Sequence, residues 1–272
     1  MSLVSTEWLD NNHSEVKIID ASWHMPNTNR NAYEEYKKEH IKNAIFFDID
    51  KFSNKKTELP HMLPNEEEWE KIVSNLGITN EDRIIVYDNS DVISSCRCWY
   101  TFIFFGHNPN LISVLNGGLL KWKKENRETT NKVSNHEKKN YKAIKISHLV
   151  KSKEEIDKNI LEKKFQVVDA RSKNRFLGLE KEPRLGVRSG SIQNSYCLPF
   201  GELINTEDKT FIEKNLIKGK FTNIGINNEK NVVFSCGSGI TAAVLGLAYS
   251  IINDKYLPVI YDGSWAEYGK IK

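Results

Sequence analysis

Cysteine is scarce in this chain, with four among 272 residues, at positions 96, 98, 197 and 236. Their spacing is not that of a disulfide framework. The count excludes a small secreted scaffold stapled by bridges and points to a reducing compartment, read here as the cytoplasm. Cys96 and Cys98 form a C-x-C pair with neither a second pair nor a nearby histidine, so a zinc site is not expected and no metal is assigned. Long apolar runs are also missing. No stretch approaches the ~20 apolar residues of a spanning helix, and the first twenty residues carry Glu7, Asp10 and Glu15 without the apolar core of a signal peptide. Charge of one sign is lacking as well. The 39 basic and 36 acidic residues give a formal charge of +3, with both signs mixed along the chain and no basic stripe or acidic tail. Neither nucleic acid nor a membrane surface is therefore expected as a partner.

What the chain does have is length enough for two cores and an internal repeat with an offset of about 150 residues. Lys17-Ile18-Ile19-Asp20-Ala21 answers to Gln166-Val167-Val168-Asp169-Ala170, and Ile84-Ile85-Val86-Tyr87-Asp88 to Val232-Val233-Phe234-Ser235-Cys236. His40 to Ala44 answers to Ser191 to Ser195, and Val114-Leu115-Asn116-Gly117-Gly118 to Val259-Ile260-Tyr261-Asp262-Gly263. Short β-branched runs without alternation read as strands buried on both faces, and helical stretches between them imply a parallel sheet with helices on each side. The fold class is α/β. Residues 1–124 are expected to form one domain and 143–272 the other, with the polar, Lys- and Asn-rich stretch 125–142 as a surface linker.

One loop carries the chemistry. An apolar strand ends on Cys236, and Gly237-Ser238-Gly239 then opens the apolar helical stretch Thr241 to Ile252. A glycine-broken turn lets successive backbone N–H groups converge on one spot, and the helix that follows presents its positive end there. Such a loop holds an anion, here a thiolate. The alternative, a buried structural cysteine behaving as a small hydrophobe, is the weaker fit to a strand-to-helix turn. In the first repeat Asp88 stands at the matching strand end, followed by Asn89-Ser90-Asp91 without a glycine. A carboxylate cannot replace a sulfur nucleophile, so only the second half is expected to do chemistry.

Six stretches carry a family resemblance. They are Asp20-Ala21-Ser22-Trp23-His24, Phe46-Phe47-Asp48-Ile49-Asp50, His61-Met62-Leu63-Pro64, Gly117-Gly118 with Trp122, the run Cys236 to Ala242, and Tyr261-Asp262-Gly263-Ser264-Trp265. Over nearly its whole length the chain resembles the tandem rhodanese-type sulfurtransferases, and within them the branch that uses 3-mercaptopyruvate, marked by a C-G-S-G-[VI]-T loop. The resemblance implies two rhodanese-like domains, the second catalytic. It implies a transferase of sulfur-containing groups that carries sulfur as a Cys236 persulfide, needs no cofactor, releases pyruvate, and delivers to a thiol such as thioredoxin or glutathione, or to cyanide. It further implies a relay of Ser238, His61 and Asp50, the latter two supplied by the first half of the chain. Arg175 and Arg184 then bind the donor together with the loop residues Gly237, Gly239, Ile240 and Thr241.

Physical chemistry supports the branch. Thiosulfate is a dianion whose binding beside a thiolate gains from basic residues in the loop, and this loop has none. Mercaptopyruvate presents a carboxylate that a bidentate arginine can hold away from the sulfur. Of eight arginines, Arg171, Arg175, Arg184 and Arg188 fall within one short segment, although lysine dominates elsewhere. A thiosulfate:cyanide sulfurtransferase is the second enzymatic reading, and a persulfide carrier or docking module a third. A phosphatase of the C-x5-R kind is excluded because Ala242 stands where the phosphate-binding arginine would be. Two turns depart from the family's His-Ile-Pro-Gly-like pattern: His40-Ile41-Lys42-Asn43 and Ser191-Ile192-Gln193-Asn194.

Overall fold

The computed structural model describes residues 2–226 and 231–271. The chain divides into two units. The first comprises Met1–Asn54, Leu63–Ile146 and Thr206–Thr210; the second comprises Lys55–Met62, Ser147–Asn205 and Phe211–Lys272. Residues 125–142, expected as a linker, pack within the first unit. Lys139 N–H donates to Ser74 O at 2.9 Å, Tyr141 N–H to Ser74 Oγ at 3.1 Å and Lys142 N–H to Asn80 Oδ1 at 2.8 Å. Their polar composition reflects exposure to water rather than detachment.

The strands of the first unit are β1 (Leu3–Val4), β2 (Lys17–Asp20), β3 (His40–Ile41), β4 (Ala44–Phe46), β5 (Ile84–Tyr87), β6 (Ile112–Leu115) and β7 (Thr129–Thr130). Five form one sheet in the order β1-β6-β5-β2-β4, every pairing parallel, while β3 and β7 make a small antiparallel ribbon. The second unit has β8 (Val150–Lys151), β9 (Phe165–Asp169), β10 (Tyr196–Cys197), β11 (Asn231–Ser235) and β12 (Ile260–Tyr261), also all parallel, in the order β10-β9-β11-β12-β8. Read by chain order, the two sheets have the same topology. The α/β class with two mainly parallel sheets is thus as expected.

Both sheet faces are covered, which is why the strands carry apolar residues without alternation. In the second unit Val167, Val233 and Tyr261 pack with Ile156 and Trp265 on one face. On the other, the Phe234 ring meets Phe221 and Tyr249 at centroid distances of 6.1 and 5.9 Å, which seats the helices Lys214–Asn223 and Ile240–Ile252. In the first unit Ile18, Ile85 and Leu115 pack with Leu9, Tyr36 and Trp122. The two departing turns keep a left-handed residue without glycine, because Asn43 and Asn194 adopt φ of 60° and 62°. Asparagine tolerates that conformation better than other side chains.

The repeats also align more closely in space than in sequence. Trp265 N–H donates to Cys236 O at 2.9 Å, and Leu119 N–H donates to Asp88 O at 3.0 Å. Leu119 therefore answers to Trp265 and Gly118 to Ser264, one residue away from the register read off the sequence for that stretch. Backbone angles agree, with φ of 53° at Gly118 and 48° at Ser264.

A second contrast between the repeats is electrostatic. Asp169 ends β9 and is met by Arg171, whereas its counterpart Asp20 ends β2 and has Ser22 two residues on. Burial pushes the Asp20 carboxyl up from 3.8 to about 6, the hydrogen bonds from Ser22 only partly offsetting it. The folded group keeps its proton to higher pH than the unfolded one. Its contribution to stability is therefore complete below about pH 4 and is lost as pH rises through about 6. Asp20→Asn should remove that loss, making the first unit more stable than the parent by about 1–3 kcal/mol at pH 8 and no more stable at pH 4. Urea denaturation at the two pH values measures this, and a variant weaker than its parent at pH 8 would show that the buried carboxylate is compensated.

Candidate active site

The central strand β11 delivers Cys236 to the carboxyl edge of the second sheet, and the helix Ile240–Ile252 begins four residues later. Cys236 is buried, at 2% exposure. Its Sγ accepts from the backbone N–H groups of Gly239 at 3.1 Å and Ser238 at 3.5 Å. Those donors, with the helix N-terminus behind them, are the anion-holding geometry expected of the loop. The two glycines do different work. Gly239 caps the helix at φ 82°, which a side chain would resist. Gly237 does not adopt positive φ; its value is space. A Cβ there would lie 3.2 Å from Arg175 Nη2 and 3.7 Å from Arg184 Nη1. Two guanidiniums thus stand directly against the loop.

Ser238 and His61 are brought together. His61 Nδ1 and Ser238 Oγ are 3.0 Å apart and hydrogen bonded, the tautomer deciding which donates. His61 comes from the first half of the sequence, yet its segment, Lys55–Met62, belongs to the second unit. It adopts φ of 59° and is 7% exposed, a conformation that costs free energy for a residue with a Cβ. Asp50 lies in the first unit, in the short helix Ile49–Phe52, whose N-cap is Asp48. Asp50 Oδ2 accepts from the Trp23 indole N–H at 2.9 Å. Ile240 and Thr241 form the first turn of the helix that follows the Cys236 loop, Ile240 buried and Thr241 partly so.

The four clustered arginines separate into two pairs. Arg171 is buried and bound to both oxygens of Asp169 and to Glu182, its guanidinium 4.5 Å from the Trp265 ring centroid. Arg188 lies over the same ring at 4.6 Å, and its carbonyl accepts the Trp265 indole N–H at 2.7 Å. These two pack against Trp265. Arg175 and Arg184 are the pair beside Gly237.

The remaining thiols are poor nucleophiles by environment. Burial raises Cys96 and Cys98, both inside the helix Ser95–Phe104, well above the ordinary thiol range. Cys197 is pushed up to about 11 by burial and the neighbouring Asp169 charge. A thiol held protonated is a weak nucleophile at neutral pH.

Two residues given no role from sequence shape the site. Glu182 fixes Arg171 and Arg175. Ser264 Oγ accepts the Cys236 N–H at 3.2 Å and donates to Tyr261 O at 2.8 Å. The signal for Ser264 was present but displaced by one residue: a serine standing where the first repeat has the left-handed Gly118.

Residues 5–125 and 152–270 each match the family described as Rhodanese-like domain. The Arabidopsis thaliana protein "Thiosulfate/3-mercaptopyruvate sulfurtransferase 1, mitochondrial" is 37% identical over 98% of this chain and 75% of its own length. The Mus musculus "3-mercaptopyruvate sulfurtransferase" is 35% identical over 98% of this chain and 91% of its own, and the Bos taurus "Thiosulfate sulfurtransferase" 36% over the same shares. Among solved structures, SseA of Escherichia coli, described as a 3-mercaptopyruvate sulfotransferase, superposes with a TM-score of 0.87 at 29% identity, covering 97% of this chain and 99% of that one. Tum1 of Saccharomyces cerevisiae gives 0.89 at 28% identity, covering 98% and 94%. Paired rhodanese-like domains with a thiol at one strand-to-helix turn define the class. The chain belongs to the rhodanese family, and within it is a sulfurtransferase.

Ser264→Ala should leave the buried Cys236 N–H without an acceptor while keeping the left-handed strain, at a cost of about 1–3 kcal/mol. Ser264→Gly loses the same acceptor but relieves the backbone by about 1 kcal/mol. Chemical denaturation should therefore rank serine above glycine above alanine. An alanine variant as stable as the glycine variant would refute the strain.

Proposed function

We propose that the protein takes sulfur from 3-mercaptopyruvate onto Cys236 and passes it to a thiol acceptor such as thioredoxin or glutathione, or to cyanide. The observation that carries this reading is the pair of guanidiniums, Arg175 and Arg184, beside Gly237, above a loop that has no basic residue of its own. A donor whose carboxylate lies several atoms from its sulfur fits that separation of charge from nucleophile.

The Cys236 thiolate attacks the donor sulfur, an S–S bond forms, and the C–S bond breaks with its electron pair going to the pyruvate enolate. The proton on the donor thiol ends on carbon, which completes pyruvate. Ser238 and His61, hydrogen bonded at 3.0 Å, form the path for that proton. Asp50 is carried as the third member of the relay on the resemblance. The persulfide sulfur stays among the loop N–H groups until a thiol or cyanide removes it as a new persulfide or as thiocyanate, restoring the thiolate. Gly239, Ile240 and Thr241 form the floor on which the donor sits. The compartment we propose is the cytoplasm, on the few unpaired thiols; no described helix is long and apolar enough to cross a membrane.

A second donor has its own support, since relatives of similar identity are named for thiosulfate. Pyruvate and thiocyanate formation from the two donors, measured side by side with cyanide as acceptor, separates them. Mercaptopyruvate should give a far larger kcat/KM, and a preference for thiosulfate would overturn the reading. Arg175→Lys and Arg184→Lys keep the charge but lose the planar fork. Each should lower kcat/KM for mercaptopyruvate by about 5- to 150-fold, equivalent to roughly 1–3 kcal/mol.

Cys236→Ser should abolish transfer, while serine at 96, 98 or 197 leaves most of it. Intact-mass analysis after donor treatment should find one extra sulfur, on the Cys236 peptide. His61→Ala and Asp50→Ala should each slow pyruvate release by about 10²- to 10⁴-fold if they serve proton transfer. Parental rates across the pH range in both would remove the relay.

A further inference from the structure

Glu182 is a carboxylate that sits outside the sulfur chemistry, yet only 3% of its side chain is exposed. Its Oε1 accepts from Arg171 Nη1 at 2.9 Å and from Arg175 Nε at 3.1 Å, and its Oε2 from Arg175 Nη2 at 2.6 Å. Arg171 is anchored in turn by Asp169, with Nε 3.1 and 3.0 Å from the two carboxylate oxygens and Nη2 2.6 Å from Oδ2. Asp169, Arg171, Glu182 and Arg175 thus form a row of alternating sign that starts, buried, at the end of β9 and ends on the partly exposed Arg175. It finishes at the catalytic loop, where Arg175 Nη2 stands 3.2 Å from the place of a Gly237 Cβ. A guanidinium has five N–H donors in a rigid plane. Glu182 occupies the edge formed by Nε and Nη2, so the edge formed by Nη1 and Nη2 is the one left for a second carboxylate.

We propose that Glu182 is the positioning residue for Arg175, and that preference for a carboxylate-bearing donor depends on this residue, which touches no donor. The inference rests on Arg175 holding the donor carboxylate, as argued above. An unanchored arginine must be ordered on binding, and that cost subtracts from affinity. One anchored at an angle fixed by a buried carboxylate presents its fork already oriented. Charge alone predicts the opposite sign, because removing a carboxylate beside a guanidinium strengthens its pull on an anion. The two roles can therefore be told apart.

Glu182→Asp keeps the charge and withdraws the carboxylate by one methylene; Glu182→Gln keeps the size, loses the charge and turns one acceptor into a donor facing guanidiniums. Positioning predicts that both raise KM for mercaptopyruvate by about tenfold or more, with kcat changed by no more than about threefold. Alkylation of Cys236, followed by mass, supplies a readout that needs no donor. The parent should favour iodoacetate over iodoacetamide relative to free glutathione, and both variants should lose that preference while reacting with iodoacetamide at the parental rate. An unchanged KM and alkylation ratio in Glu182→Asp, a lower KM in Glu182→Gln, or equal slowing with iodoacetamide would each overturn the proposal. Should Glu182→Gln leave the two arginines too poorly compensated to fold, Glu182→Asp carries the test alone. A parent that releases no pyruvate from mercaptopyruvate would sink the donor reading, and the alkylation ratio would still decide the role of Glu182.

Discussion

The site depends on one arrangement of backbone donors: the N–H groups of Ser238 and Gly239 turned onto the Cys236 sulfur, and the N–H of Cys236 itself turned away to Ser264 Oγ. Negative charge on a sulfur so buried is tolerable only where donors or charges replace its water. The chain meets that need with backbone, which cannot drift, rather than with a flexible lysine. The carbonyls of Cys236 and Gly237 are held by the N–H groups of Trp265 and Ala266, both at 2.9 Å. The loop is therefore fixed from below by a neighbouring turn, and its donors face up toward the sulfur.

The two repeats carry different groups on a shared scaffold. The same strand order ends in Asp88 in one unit and Cys236 in the other. Asp88 is caged much as the sulfur is, accepting from the N–H groups of Ser90 at 2.8 Å and Ser95 at 2.9 Å. Backbone donors converging on the strand-end side chain are thus a property of the fold, and only the group they meet differs. Two further exchanges accompany the cysteine. Ser22 becomes Arg171, which gives the buried Asp169 a partner and begins the row that ends at the loop. Gly118 becomes Ser264, which accepts backbone strain so that a hydroxyl can take the Cys236 N–H.

Most of the fold was legible because it follows from short-range rules. Unalternating apolar runs mean buried parallel strands, and the repeat between Lys17 and Asp88 on one side and Gln166 and Cys236 on the other duplicates them. The candidate nucleophile was also proposed from sequence, since a cysteine between an apolar strand and a glycine-broken turn has few other uses. What escaped were relations set by side chains meeting far apart in sequence. Nothing local in Glu182 distinguishes it from the other acidic residues, and its burial becomes meaningful only once Arg171 and Arg175 are seen on both sides of it. The function of Gly237 was misplaced for the same reason: a backbone angle can be guessed from a loop, but the approach of two guanidiniums cannot. The packing of His61 with the second unit likewise depends on where the chain returns.

The concentration of arginine in a lysine-rich chain has a physical explanation in this row of charges. Lysine could neutralise Asp169 or Glu182, but its single ammonium cannot accept a carboxylate along one edge and offer a second edge elsewhere. Arg171 does so between Asp169 and Glu182, and lies on Trp265 besides. Because each guanidinium is planar, orientation passes from one carboxylate to the next along the row. Buried ion pairs often contribute little net stability against an apolar replacement. Their presence here is better explained by direction than by strength: the row carries the geometry of a strand end to the rim of the loop, where Arg175 stands beside Gly237.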